Sequence, residues 1–409
     1  MAGLKKAAAY SLLGYAVWAA CNFLNFNLVT RLDQSNSAGL LALMTAISTP
    51  ATDLGLLSLR GVLNTDARSE FKYGVFMSLR LLGMLCASLA CLVIAMVQYN
   101  QPGLLAAFGL LTARLTVESV SDILFGILQK NHRMPQVGLS MTFRGILGTS
   151  VFAAVFYQTR DLVPALIAHL VCSTIILVAY DLPNALKVVS LSDIKPEWDF
   201  TRMRQLLVLV LPLAANVALG SFITQMSRYG LNITDIAIYT AMYFFVLIGS
   251  TVVVAVSQST STALGEAVAN RNGPRFVFLT TRLLLLATAF GAAGLFAGQF
   301  FGQPLISTIF RPEYATQQQA FMIILLGGAF SYYNNVFGYA LTAMRELKVQ
   351  FPIKLVAFMV GLACLLTLVP RLGINGAAIA YAASSGIQTV LSAIVFQRAS
   401  RHLSPEVAA

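Results

Sequence analysis

Apolar stretches long enough to cross a bilayer recur along the whole chain, and no soluble stretch between them is large enough to form a domain. Spanning about 30 Å of hydrocarbon takes roughly 20 apolar residues in a helix. Twelve windows meet that need, near 8–30, 38–60, 73–97, 103–128, 134–157, 162–184, 205–228, 236–263, 276–299, 315–343, 351–370 and 374–397. Backbone groups in lipid must be satisfied inside their own segment, and barrel strands would read as short alternating stretches, so the spans are helices. The expected fold class is an all-α integral membrane protein. The first span follows Lys5 and Lys6 but is too long for a signal h-region, with no small-residue cleavage pattern after it, so it reads as a retained span.

Lys and Arg set the orientation. Numbering the loops alternately, nineteen fall on the side of the N-terminus and five (Arg31, Arg160, Arg228, Arg311 and Arg371) on the other, with Arg80, Arg114 and Arg144 left inside spans. Such a bias predicts that both termini lie in the cytoplasm. It also accounts for the net charge of +11 without nucleic acid as a partner.

The longest charged loop carries Lys187, Asp193, Lys195, Pro196, Glu197, Trp198, Asp199, Arg202 and Arg204 near the chain midpoint. It divides the sequence into a six-helix lobe over 1–186, a cytoplasmic linker over 187–204 and a second six-helix lobe over 205–409. An even number of spans per half requires a parallel repeat about an axis along the membrane normal. A trace of it stands in Ala20-Cys21-Asn22 with Thr30 against Ala214-Ala215-Asn216 with Thr224.

Enzymatic motifs are missing from the settings they need: no HExxH, GxSxG, P-loop or GxGxxG stands in a plausible context. Loops are too short for the extramembrane part that a membrane glycosyltransferase, polymerase or ligase needs. Cys21, Cys86, Cys91, Cys172 and Cys364 lie in spans without CxxC pairing and read as packing residues, so neither a metal, a disulfide nor a cofactor is expected.

Polar residues inside the spans carry the remaining information. Tyr15, Trp18, Asn22 and Asn25 follow at steps of three and four on one helical face. Tyr332, Asn335 and Tyr339 repeat the theme in the tenth span. Aromatic and amide groups on one stripe suit sugar rings and hydroxyls; the alternative reading is helix packing, with asparagines as interhelical glue. Arg114, Glu118 and Asp122 are spaced i, i+4, i+8, with Arg144 at similar depth in the next span and Arg80 nearer the cytoplasm. Charges at such depth face protein or water and mark function or an ion-pair clamp such as Arg114–Glu118 closed by Arg144. Asp53 and Asp181 are further buried-acid candidates, and His169 suits packing better than a proton relay.

Four segments stand in order along the chain: Thr52-Asp53-Leu54-Gly55-Leu56, then Arg311-Pro312-Glu313-Tyr314, Ala340-Leu341-Thr342-Ala343-Met344, and Pro370-Arg371-Leu372-Gly373-Ile374-Asn375-Gly376-Ala377-Ala378. Together they resemble the Wzx-type polysaccharide flippases of the multidrug/oligosaccharidyl-lipid/polysaccharide (MOP) exporter superfamily. The resemblance implies a MATE-like arrangement of two lobes around a central cavity, alternating access, and a substrate made of an oligosaccharide on undecaprenyl pyrophosphate. On that reading Arg114, Arg144 and Arg80 meet the pyrophosphate, and Tyr15, Trp18, Asn22, Asn25, Tyr332, Asn335 and Tyr339 meet the glycan. Asp53, Glu118 or Asp122 would serve ion coupling by H+ or Na+. Partners would be the lipid-linked oligosaccharide, membrane lipid, and polymerase and chain-length proteins of the same O-antigen, capsule or exopolysaccharide pathway. A multidrug antiporter would instead need acids to hold cationic drugs, and a lipid II flippase would usually have fourteen spans.

Overall fold

The computed structural model describes residues 2–32, 36–66, 70–99 and 102–401; Arg68 lies outside them, as do the side chains of Lys5, Lys6 and Arg401. Every regular element among these residues is helical. Packing divides the chain into two compact units, Met1–Ser221 and Phe222–Ala409.

The first unit opens with α1 (Ala2–Leu32), which lies along α6 (Met134–Thr159). Their contact is backbone to backbone: a Cβ on Gly14 would overlap the Gly138 carbonyl. Next come α2 (Ser37–Leu56), the short α3 (Leu59–Thr65), α4 (Tyr73–Tyr99) and α5 (Pro102–Lys130). α4 packs between α2 and α5. The sixth predicted span is α7 (Leu162–Ile176), a π-helical turn over Leu177–Asp181, and α8 (Leu182–Ala185) in continuous succession.

The charged 187–204 segment lies within the first unit. It contains α9 (Leu191–Ile194), whose start is closed by Asp193: its carboxylate accepts from the Ser190 backbone at 3.0 Å and from the Ser190 hydroxyl at 2.6 Å. Those two bonds favour the ionised form and hold the Asp193 carboxyl below the usual carboxylate range. Glu197 then bonds the start of α4 through Glu197 N to Gly74 O at 3.1 Å, Ser78 Oγ to Glu197 O at 2.8 Å and Lys72 Nζ to Glu197 Oε1 at 2.9 Å.

α10 (Phe200–Gln225) carries the chain out of the first unit. The second holds α11 (Ile233–Ala269), α12 (Gly273–Ile309), α13 (Gln318–Ala343), α14 (Leu347–Leu372) and α15 (Ile374–Arg401). α13 is central, packed on α11, α12 and α15, and α14 lies along α15.

Eleven helical segments among the described residues, from Ser37–Asn64 to Ile374–Ser400, are long and apolar enough to cross a membrane, and each matches a predicted span. The first predicted span is α1, a 31-residue helix whose side chains up to residue 12 lie outside the described residues, so it is not among the eleven. α11 and α12 have 37 residues each, about 55 Å at 1.5 Å per residue, so they outrun the hydrocarbon where the apolar count alone predicted shorter spans.

Candidate functional site

Charges within the first unit gather around α5. Its i, i+4, i+8 spacing places Arg114, Glu118 and Asp122 along one side of the helix, and neighbouring elements bring partners to each. Asp122 is shared. Arg80 of α4 donates to its Oδ2 from Nη2 at 2.9 Å, and Arg60 of α3 donates to its Oδ1 from Nη1 at 3.2 Å. Arg60 is held from two more sides, by Tyr15 OH at 2.7 Å and by Gln129 Oε1 at 3.0 Å. Its reach depends on the break between α2 and α3, where Leu57 (φ 53°) and Ser58 (φ 51°) are both left-handed. Two such residues in succession, neither of them glycine, cost of order 1–3 kcal/mol each and persist only where the surroundings enforce them.

One turn deeper along α5, Arg114 Nη1 pairs with Glu118 Oε1 at 2.7 Å, and Ser173 of α7 reaches the same oxygen at 3.5 Å. Arg144 of α6 pairs elsewhere, with Asp181 Oδ2 at 2.6 Å, and also donates to Ser121 Oγ. The sequence left open a clamp in which Arg144 closes on the Arg114–Glu118 pair; its observed partner is Asp181, presented by the π-helical turn.

Four arginines therefore meet three carboxylates, with the surplus cation at Asp122. Burial separates their roles. The Arg80 and Arg144 side chains are 1% and 3% exposed, whereas those of Arg60 and Asp122 are 19% and 29% exposed. None of the buried arginines is saturated: Nε and Nη1 of Arg80, Nε and Nη1 of Arg144, and Nε of Arg114 lack acceptors, and so does Asp181 Oδ1 lack a donor. Each single-point pair leaves a guanidinium fork with free N–H groups of the kind that match phosphate oxygens.

The other predicted residues are placed as follows. Asp53 of α2 is half-buried and accepts a hydrogen bond from Ser221 Oγ of α10. Trp18 is half-buried beside Gly145 of α6, and Asn22 Nδ2 donates to Trp18 O at 2.9 Å within its own helix. Asn25 is 7% exposed, with its Oδ1 lacking a donor. In the second unit Tyr332 is 5% exposed, its hydroxyl donating to Val246 O of α11 at 3.0 Å, and Asn335 donates to Ser250 Oγ at 3.2 Å. Tyr339 is half-buried. His169 packs against Phe152 and against Gly148, where no Cβ intervenes.

Sequence reasoning missed Arg60, which reads as a loop cation at the very end of the 38–60 window. A signal existed in Asp122 and Gln129, which are seven apart and lie on one face of α5, ready for a forked cation.

Comparison with known proteins follows the fold. No family model matches the chain. Over 378 residues, 90% of this chain and 93% of the relative, it is 22% identical to the capsular polysaccharide biosynthesis protein CapF of Staphylococcus aureus. Among solved structures it is similar to an inward-facing multidrug resistance MATE family transporter of the MOP superfamily, with a TM-score of 0.74 at 12% identity, covering 97% of this chain and 100% of that one. A MOP superfamily transporter from Pyrococcus furiosus, described by the reverse polarity of its binding pocket, gives 0.69 at 14% identity over 98% and 95% of the two chains. The bent form of the Vibrio cholerae MATE transporter VcmN gives 0.64 at 13% identity over 98% and 97%. The chain is thus a multi-pass membrane protein with the fold of the MATE transporters, and its whole-length similarity to a capsular polysaccharide protein bears out the resemblance to the polysaccharide flippases of the MOP superfamily.

Proposed function

We propose that this protein is a flippase that moves an undecaprenyl-pyrophosphate-linked oligosaccharide from the cytoplasmic to the periplasmic leaflet by alternating access. Both termini would be cytoplasmic and the halves 1–186 and 205–409 would act as the moving lobes. The observation that carries the reading is the surplus of arginine around α5, where Arg60 and Arg80 share Asp122 and the guanidinium groups of Arg80, Arg114 and Arg144 keep free donors. A cationic drug would be repelled by that surplus, whereas a pyrophosphate would accept from the open forks. Whole-length similarity to CapF supports a place in polysaccharide assembly.

Arg80, Arg114 and Arg144 are the proposed pyrophosphate contacts, joined by Arg60 as the more exposed of the pair on Asp122. The aromatic and amide groups Tyr15, Trp18, Asn22, Asn25, Asn335 and Tyr339 are proposed for the glycan, and Tyr332, on the same face of α13 as Asn335 and Tyr339, is bonded to α11. Asp53, Glu118 and Asp122 remain the acids on which H+ or Na+ would act.

The test is transport by the purified protein in proteoliposomes, with a lipid-linked oligosaccharide in one leaflet and a periplasmic-side glycan probe as reader. Protein-dependent appearance of the glycan on the far side is expected. Equal rates in protein-free vesicles, together with export of a cationic dye, would overturn the flippase reading in favour of a drug antiporter.

A further inference from the structure

Arg228 closes the short 3-10 turn Met226–Arg228 at the end of α10, and it is 4% exposed. The loop arithmetic treats it as a peripheral cation, but the fold of the second unit buries it. Its guanidinium lies 5.3 Å from the centroid of the Tyr243 ring, and Nη1 donates to Gln225 Oε1. Tyr243 is stacked on Tyr239 at 6.4 Å and meets the edge of Tyr381 at 5.4 Å, and both of those side chains are fully buried. The result is a guanidinium walled by tyrosines from α11 and α15.

Among the described residues no carboxylate joins the cluster. The deep arginines of the first unit, Arg80, Arg114 and Arg144, each have a carboxylate within 2.9 Å. Arg228 takes part in none of the ion pairs among the described residues, and its Nε has no acceptor. Guanidinium does not shed its proton in proteins, so burial cannot be relieved by neutralisation as it is for lysine. A ring face and one amide oxygen offset part of the desolvation, but neither supplies a negative charge. Phenolic hydroxyls, meanwhile, are donors as readily as acceptors.

We infer that Arg228 and its ring of Tyr239, Tyr243 and Tyr381 form a buried site for a small inorganic monoanion, with chloride as the natural probe. Nε supplies the charged donor, the phenolic groups supply neutral ones, and the rings exclude water. The enclosure of the site restricts the ligand to an ion of a few atoms, and such an ion would tie the end of α10 to α11 and α15. This role is structural and independent of the transported substrate.

The full-length protein is melted in detergent while chloride replaces gluconate at constant ionic strength. A ligand bound only by the folded state raises Tm saturably. The wild type is expected to do so, and Arg228→Met is expected to melt identically in both salts. Arg228→Lys keeps the charge and loses the Nε donor, so it is expected to fold and to need several-fold more chloride. Crystals grown in bromide are expected to show an anomalous peak within hydrogen-bond reach of Arg228 Nε. Chloride-independent melting of the wild type, a wild-type midpoint in Arg228→Lys, or a bromide structure with no peak there would each overturn the assignment.

Discussion

Arg144 Nη2 lies 2.6 Å from Asp181 Oδ2, with the two side chains 3% and 1% exposed, so one pair joins α6 to the π-helical turn with almost no contact with solvent. Removing one partner from a buried pair strands the other and costs about 3–5 kcal/mol, whereas an apolar pair of similar volume is often tolerated. Arg144→Met and Asp181→Leu are each expected to lower membrane abundance sharply, and the double variant to recover much of it. Fluorescence-detected size-exclusion of the three variants checks this; a double variant as poor as either single would show that the residues do not act as a pair.

Arg114 and Glu118 permit a sharper separation of structure from transport. Arg114→Ala and Glu118→Ala are expected to reduce abundance, and the double variant to restore it while lipid-linked oligosaccharide flipping stays lost. Recovery of both readouts together would remove Arg114 from the substrate path.

The two arginines on Asp122 differ in burial, and their variants are expected to differ in kind. Arg80→Gln empties a fully buried donor set and is expected to reduce abundance. Arg60→Gln, whose side chain is partly open, is expected to leave abundance near wild type and slow flipping, with Arg60→Lys between the two because it keeps charge but not the fork. Vesicle transport normalised to folded protein reads the difference, and equal loss of abundance in both would contradict it.

The glycan stripes divide likewise. Tyr332→Phe removes a buried hydrogen bond to Val246 and is expected to cost about 1 kcal/mol of stability with transport unchanged. Trp18→Ala, Asn22→Ala and Asn335→Ala are expected to weaken glycan recognition by about 1–3 kcal/mol each. Full export by all three at normal protein level would assign them to packing.

At the linker, an exposed ion pair and a backbone approach sit side by side. Lys72 and Glu197 are 76% and 39% exposed, and Lys72→Ala is expected to shift stability by no more than about 1 kcal/mol. Gly74→Val is expected to do more damage, because a Cβ there would lie 2.5 Å from the Lys195 carbonyl oxygen. Paired melting curves in detergent compare the two.

The spans and their order were legible because apolar length is a local property: each window is judged by its own 20 residues. The i, i+4, i+8 row of α5 was legible for the same reason. Partner choice was not. Arg144 takes Asp181, thirty-seven residues on, with no mark on the sequence near it, and Arg60 takes Asp122, sixty-two residues on, announced only by the Asp122 and Gln129 spacing on α5. The left-handed break at Leu57-Ser58 was equally silent, since it uses no glycine or proline to announce itself. Arg228 misled in the other direction, because its place at a span end resembles that of a solvated loop cation.

The π-helical turn at Leu177–Asp181 holds one residue more than a regular helix would use, and such turns arise as single insertions. Each residue turns a helix by about 100°. A π turn winds less per residue and so absorbs the extra one. Deleting Ala179 would restore ordinary winding with the following helix near its present orientation, and the change would fall within the turn itself, taking the Asp181 carboxylate off Arg144 without altering either side chain. The ion pair is thus encoded partly in the number of residues, so a single-codon deletion is expected to be more disruptive here than most substitutions of the same residue.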